Sequence, residues 1–174
     1  GIAPTPLNCI KNGVIKNVDA VSSEISRIIR ENKMKVKKSK IVMSGTSIIS
    51  RVFMIEKVPG KEIDELVYNE IISNMPINPE EHKIDYKILQ ELKEDNVEKI
   101  KVFVTAVRKS IINSYIDVLF ELGLKPVSVD IPANSTAKFF NRDIKVSIDN
   151  VKFVNPNKSQ LNKDAFAVID FGSE

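Results

Sequence analysis

The sequence predicts a mixed α/β (α+β) protein with mixed sheets, and three observations carry that class. Val21, Ile25, Ile28 and Ile29 repeat at the spacing of one helix face, as do Ile111, Tyr115, Val118, Leu119 and Leu122. Residues 82–90 and 99–107 instead alternate in the manner of strands. The two patterns interleave along 174 residues, enough chain for one compact domain or two small ones with a real core.

The first elements are short. Asn12-Gly13 is a turn dipeptide followed by the apolar pair Val14-Ile15, and Asp19 is placed to cap the helix that carries Val21 to Ile29. That amphipathic helix is expected to lie on a sheet. Lys35, Lys37, Lys38 and Lys40 form a basic cluster, read as a solvated loop ahead of the β-rich run Ile41-Val42-Met43, which Ser44-Gly45-Thr46 stops. Residues 48–55 are strand-like, with Ile49, Phe53 and Ile55 set against Ser50 and Met54, until Val58-Pro59-Gly60 breaks the pattern. A helix over 62–74 follows, with Ile63, Leu66, Val67, Ile71 and Met75 on its apolar side. Glu62, Asp64 and Glu65 sit at the positive end of its dipole, and Pro76 and Pro79 close it.

The strands over 82–90 and 99–107 can pair as a hairpin across the polar link 91–96, the first of them partly exposed. Ser110 is placed to cap the third helix, and Gly123 ends it as a left-handed cap. Tyr115, Leu119 and Leu122 are expected to anchor this helix to the hairpin's sheet. Pro126 to Asp130 reads as a short buried strand and 133–140 as a brief helix. Val146-Ser147-Ile148 and Val151-Lys152-Phe153-Val154 read as a hairpin within a polar, Asn-rich insertion. An apolar strand from Ala165 then runs into Asp170-Phe171-Gly172-Ser173.

Composition excludes several function classes. With 43% hydrophobic and 28% charged residues, and only 6 Gly and 8 Pro, the chain is neither disordered nor collagen-like. Its net charge of +3 is spread along the sequence, so nucleic acid is not an expected partner. One cysteine, Cys9, and one histidine, His82, exclude internal disulfides, zinc-finger sets and most Cys/His nucleophile pairs; a reducing compartment is expected. No apolar run approaches the roughly 18 residues of a membrane span, and the first residues lack the pattern of a signal peptide. The expected location is the cytosol. The first residue is Gly rather than Met, and the chain reads as a piece of something longer.

Catalytic chemistry finds little support. His82 is expected at the surface with no nucleophile beside it, Cys9 is expected to be buried or idle, and the acid pairs Glu80-Glu81 and Glu94-Asp95 lie in loops where adjacent side chains diverge. The six glycines are isolated, so no Gly-rich phosphate loop is present and nucleotide hydrolysis is not expected of this chain alone. No catalytic or metal-ligating set is assigned. The turn Asp170-Phe171-Gly172-Ser173 is the exception, since its N–H groups can wrap a phosphate while the carboxylate holds a metal-bound water. Any strand can end on such a turn.

Asn12-Gly13-Val14-Ile15, the run from Met43 to Ile49, and the helix over 62–74 with its following Met75-Pro76-Ile77 carry a family likeness. So do Asp85-Tyr86, Val104-Thr105-Ala106-Val107, Ser114-Tyr115, the run from Gly123 to Asp130, and the final Val168 to Glu174. In order and spacing these resemble the PilM family of actin-like type IV pilus assembly proteins and, more distantly, the FtsA family of cell-division proteins. The resemblance implies a fragment of the first domain of an actin-like ATPase. Residues 1–47 would belong to its large subdomain, 48–131 to an inserted small strand-helix-strand-strand module, and 132–174 to the return to the large subdomain, a polar loop and the start of a second domain.

The function implied is a cytoplasmic scaffold of pilus assembly, with no cofactor in this stretch of chain and with ATP and Mg expected of the full-length protein. Asp170, Gly172 and Ser173 would supply part of a phosphate site. The partner implied is the cytoplasmic N-terminal peptide of a PilN-like inner-membrane protein, which would hold the scaffold at the membrane without direct insertion; self-association is a further possibility. By location the candidate peptide-binding residues are Ile48, Ser50 and Phe53, beside the helix over 62–74. Two rivals stand beside this reading: an ATP-hydrolysing actin-like enzyme in full length, and an FtsA-like division adaptor.

Overall fold

The structure is a computed structural model that describes residues 2–60, 62–140, 145–148 and 151–154. Two compact units divide the chain, Gly1–Val129 and Asp130–Glu174.

The first unit opens on a tight hairpin in which β1 (Ile10–Lys11) pairs antiparallel with β2 (Val14–Ile15). Asn12 and Gly13 turn it, with φ of 52° and 75°, the two left-handed residues that a two-residue hairpin needs. α1 (Val18–Glu31) follows. Asn17 caps it rather than Asp19, because Asn17 is extended and its side chain accepts the Ala20 N–H at 2.9 Å. Asp19 lies inside the first turn, where its charge meets the helix dipole. β3 (Lys38–Val42) begins three residues before the apolar run, so Lys38 and Lys40 are strand residues with exposed side chains, not loop residues.

A second layer is built from β4 (Ile48–Glu56), α2 (Glu62–Asn74), β5 (His82–Glu94) and β6 (Val97–Arg108). The strands form an antiparallel sheet in the order β4-β6-β5. The β5–β6 link is far shorter than 91–96: Asp95 and Asn96 alone make the turn, at φ of 49° and 65°, a conformation both side chains tolerate without glycine. The central strand buries Ile100, Val102, Val104 and Ala106 completely on one face, and Val67 and Ile71 of α2 cover that face together with Met75 just after the helix.

α3 (Lys109–Glu121) starts where β6 ends, so Ser110 is inside the helix and no side chain caps it. The Lys109 N–H is held instead by the Glu81 carbonyl at 2.8 Å. At the other end Gly123 takes φ 63° and donates to Phe120, while Leu124 donates back to Leu119 at 2.8 Å, the paired bonds of a left-handed cap. The packing of α3 meets the sequence expectation in part, through Val107 of β6, and extends it to other elements. Leu119 lies with Ile41, Met43, Val107, Ile111 and Leu124, and Tyr115 and Leu122 also reach Cys9, Ile15, Val21 and Val118. Its neighbours are therefore α1, the first hairpin, β3 and the end of β6 at Val107, while α2 occupies the apolar face of the three-stranded sheet. β7 (Lys125–Asp130) pairs with β3, and the Lys125 N–H donates to the Lys37 carbonyl at 2.9 Å.

The second unit holds α4 (Pro132–Phe140) and an antiparallel hairpin of β8 (Lys145–Ile148) and β9 (Val151–Val154), with Lys145 opposite Val154 and Ile148 opposite Val151. The expected strand from Ala165 and the turn residues Asp170, Gly172 and Ser173 lie outside the described residues.

Candidate functional site

Ile48, Ser50 and Phe53 all fall on β4, but their side chains do not form one surface. Phe53 is half-buried against the core beneath α2, Ile48 packs against the cluster around Met43 and Val107, and Ser50 is exposed with its Oγ 3.4 Å from Thr105 Oγ1. What they share is the outer edge of a sheet. β4 pairs only with β6 among the described strands.

The hydrogen-bond parity of that edge follows from one bond. Glu56 stands opposite Lys99, so Lys57 stands opposite Glu98, and the Lys57 N–H donates to the Glu98 carbonyl at 2.8 Å. Antiparallel pairs alternate between bonded and unbonded, and the β4–β6 register runs without a shift, so Ile55, Phe53, Arg51 and Ile49 bond to β6. The main-chain groups of Ile48, Ser50, Val52, Met54 and Glu56 therefore point outward. The Ile48 N–H is taken by the Gly45 carbonyl at 3.3 Å. Those of Ser50, Val52 and Met54 have no partner among the described residues.

The other edge is blunted in part. The Lys109–Glu81 bond sets the same parity on β5, where His82, Ile84, Tyr86 and Ile88 point outward. Asn78 accepts the His82 N–H at 3.0 Å, the Asp85 carboxylate accepts the Tyr86 N–H at 2.9 Å, and the register slips between Ile88 and Gln90. Self-bonding and a bulge are common ways of blunting an edge strand. Val52 and Met54 join Ser50 on the solvent face of β4, 49% and 44% exposed, with Phe103 directly opposite Val52. Sequence reading did not single them out; the available signal was that residues 48–55 contain one charge, Arg51, in a strand that topology leaves at an edge.

A second concavity of about 370 Å³ lies between α1, α3 and β3, walled by Ile25, Ile29, Met34, Tyr115 and Leu119, with Lys38 and Lys40 also lining it. Its lining is mostly aliphatic, with Lys38, Ser39 and Lys40 on one side, so it has the means to hold an apolar group but no convergent polar set to orient a reacting one.

The remaining candidates do not assemble. His82 is buried, 8% exposed, where a surface position was expected: the turn from Asn78 folds over it and its Nδ1–H donates to the Asn78 carbonyl at 2.8 Å. Cys9 is buried beside Ile15, Val21 and Val118. Glu94 pairs with Lys99 at 2.9 Å, and Glu80 and Glu81 stay in an exposed turn. Among the described residues no three His, Cys, Asp or Glu side chains group in a way that could hold a metal, and no helix is long and apolar enough to cross a membrane.

The family model for type IV pilus assembly protein PilM matches residues 1–174. The chain belongs to the PilM family. A solved structure of a PilM-PilN type IV pilus biogenesis complex is similar at a TM-score of 0.67 and 25% identity, over 83% of this chain and 44% of that one. The mixed α/β fold is thus that of PilM, an actin-like protein, and the chain spans less than half the length of that PilM relative.

Proposed function

We propose that this chain is the part of a pilus-assembly scaffold that docks the cytoplasmic N-terminal peptide of a PilN-like inner-membrane protein. The observation that carries the reading is the family match over 1–174 together with the likeness to a PilM-PilN complex. The chain's own residues support it. They offer an open strand edge and an apolar concavity. A scaffold of this kind would sit at the inner face of the membrane through its partner and perform no chemistry itself.

Fluorescence anisotropy with a labelled N-terminal peptide of the pilus membrane protein encoded beside this chain tests the proposal. Saturable binding at micromolar concentration is the expected result. No binding at about 1 mM, where any remaining affinity is weaker than about 4 kcal/mol, would remove the reading.

A further inference from the structure

We propose that the lysine-rich run leading from α1 into β3 is a contact surface for an anionic phospholipid membrane, with headgroup phosphates over its lysines and the end of an acyl chain in the concavity beside it. The inference goes beyond the partner reading and stands without it. The net charge of +3 conceals a division: residues 32–55 carry five lysines and Arg51 with no carboxylate, which leaves −3 on the rest of the chain. Lys33, Lys35, Lys37, Lys38 and Lys40 are all exposed, and none of them forms an ion pair among the described residues. Glu31, the nearest carboxylate in sequence, is taken by Arg27 at 2.7 Å. Lys125 adds a sixth lysine, since its N–H donates to the Lys37 carbonyl and its side chain is exposed.

The run is tied down at both ends and is apolar between its charges. Lys33 takes φ 50° at the end of α1, where the Met34 N–H donates back to the Ile29 carbonyl at 2.9 Å, and the Lys125 bond holds the other end. The pleat of β3 then turns Lys38, Lys40 and Val42 to the side away from the buried Ile41. Met34, Val36 and Val42 stay exposed among the lysines. Met34, Val36, Lys38 and Lys40 also line the concavity, whose 370 Å³ falls within the roughly 300–1,000 Å³ of small-ligand sites. Cations beside an apolar recess suit an anionic amphiphile, and clustered lysines with aliphatic neighbours draw a protein to an anionic leaflet. A nucleic acid fits less well, because residues 32–43 contain no arginine and no aromatic ring on which a base could stack. A protein partner also fits less well, because protein interfaces are depleted of lysine.

The test is co-sedimentation of the whole chain with vesicles of mixed phosphatidylglycerol and phosphatidylcholine, and with vesicles of phosphatidylcholine alone, in the absence of any peptide. Binding to the mixed vesicles only, weakening as salt is raised, is the expected result. Each lysine at an anionic surface is worth about a fivefold change in partition, so Lys35→Gln combined with Lys37→Gln should weaken binding at least about tenfold while the melting temperature holds. Lys83→Gln combined with Lys87→Gln removes the same charge from exposed positions of β5 on either side of Asp85, and should leave binding within about twofold of the parent. Met34→Ser combined with Val36→Ser keeps every charge and should still weaken binding severalfold. No binding to the mixed vesicles, or equal binding to both kinds, would overturn the proposal and leave the partner reading untouched. Equal losses from the two lysine pairs would reduce the effect to overall charge, and full binding by the serine variant would remove the acyl contact; either result overturns it. A single-stranded oligonucleotide that binds more tightly than the mixed vesicles would assign the run to nucleic acid and overturn it as well.

Discussion

The Tyr115 hydroxyl donates to the Gly13 carbonyl at 2.8 Å, joining α3 to the first hairpin across 102 positions of sequence. The same glycine lies against the Ser44 carbonyl so closely that a Cβ would overlap it, and it holds φ 75°. Two backbone turns and one helix are thereby fixed to each other at a point where only glycine fits.

Gly13→Ala should therefore destabilise the chain by more than about 1 kcal/mol, since it meets both a left-handed backbone and an occupied space. Tyr115→Phe should cost less, about 1 kcal/mol, because it deletes one hydrogen bond and keeps the packing. Chemical denaturation of both variants checks the order. Equal losses would mean that the hydroxyl, not the close approach, holds the turn.

Leu119→Ala should cost about 2 to 5 kcal/mol and lower the melting temperature by several degrees, because the side chain is buried among Ile41, Met43 and Leu124. The loss should appear as loosening of α1 and β3 in hydrogen exchange, with the β4-β6-β5 sheet still protected. Loosening of that sheet alone would restore the packing expected from sequence.

Much of the fold was legible because burial wrote it in periodicity: Ile100, Val102, Val104 and Ala106 alternate as a central strand must, and the Leu119–Gly123–Leu124 cap follows from one glycine. What was hidden depended on partners far away in the chain. Ser110 is a good cap residue, but α3 begins at Lys109 because the Glu81 carbonyl receives its N–H, and His82 is buried by a turn that local polarity marks as exposed. The Asp95-Asn96 turn escaped notice because it reaches positive φ without glycine. At the candidate site, position on β4 was readable from pattern, whereas edge status and outward parity emerge only from the register with β6.

Asp130 should titrate below the ordinary carboxyl value of 3.8. Burial raises its pKa, but hydrogen bonds from Lys138 and Asn134 and from the Ile131 N–H outweigh that and hold it down. A depressed carboxyl contributes stability that is present above its unfolded value and is lost as pH falls through the folded one, so the anchoring of α4 should weaken only in that acid range. Carbon-detected NMR of the Asp130 carboxyl gives the midpoint directly, and Lys138→Ala should move it upward. A midpoint at or above 3.8, or one indifferent to Lys138, would contradict the assignment.

Calorimetric titration of this chain with Mg-ATP should show no micromolar binding. Its six glycines form no phosphate loop, and a triphosphate needs donors on more than one side as well as a pocket for the base. Micromolar affinity would place a nucleotide site in these residues and favour an enzymatic role.

Amide NMR during titration with the PilN-like peptide tests the proposed docking most directly. The expected result is that the amides of Ser50, Val52 and Met54 shift and become protected from exchange as the peptide saturates, while those of Ile84 and Ile88 on the opposite edge stay as they were. Saturation with the β4 amides unmoved, or with the response centred on β5, would contradict it.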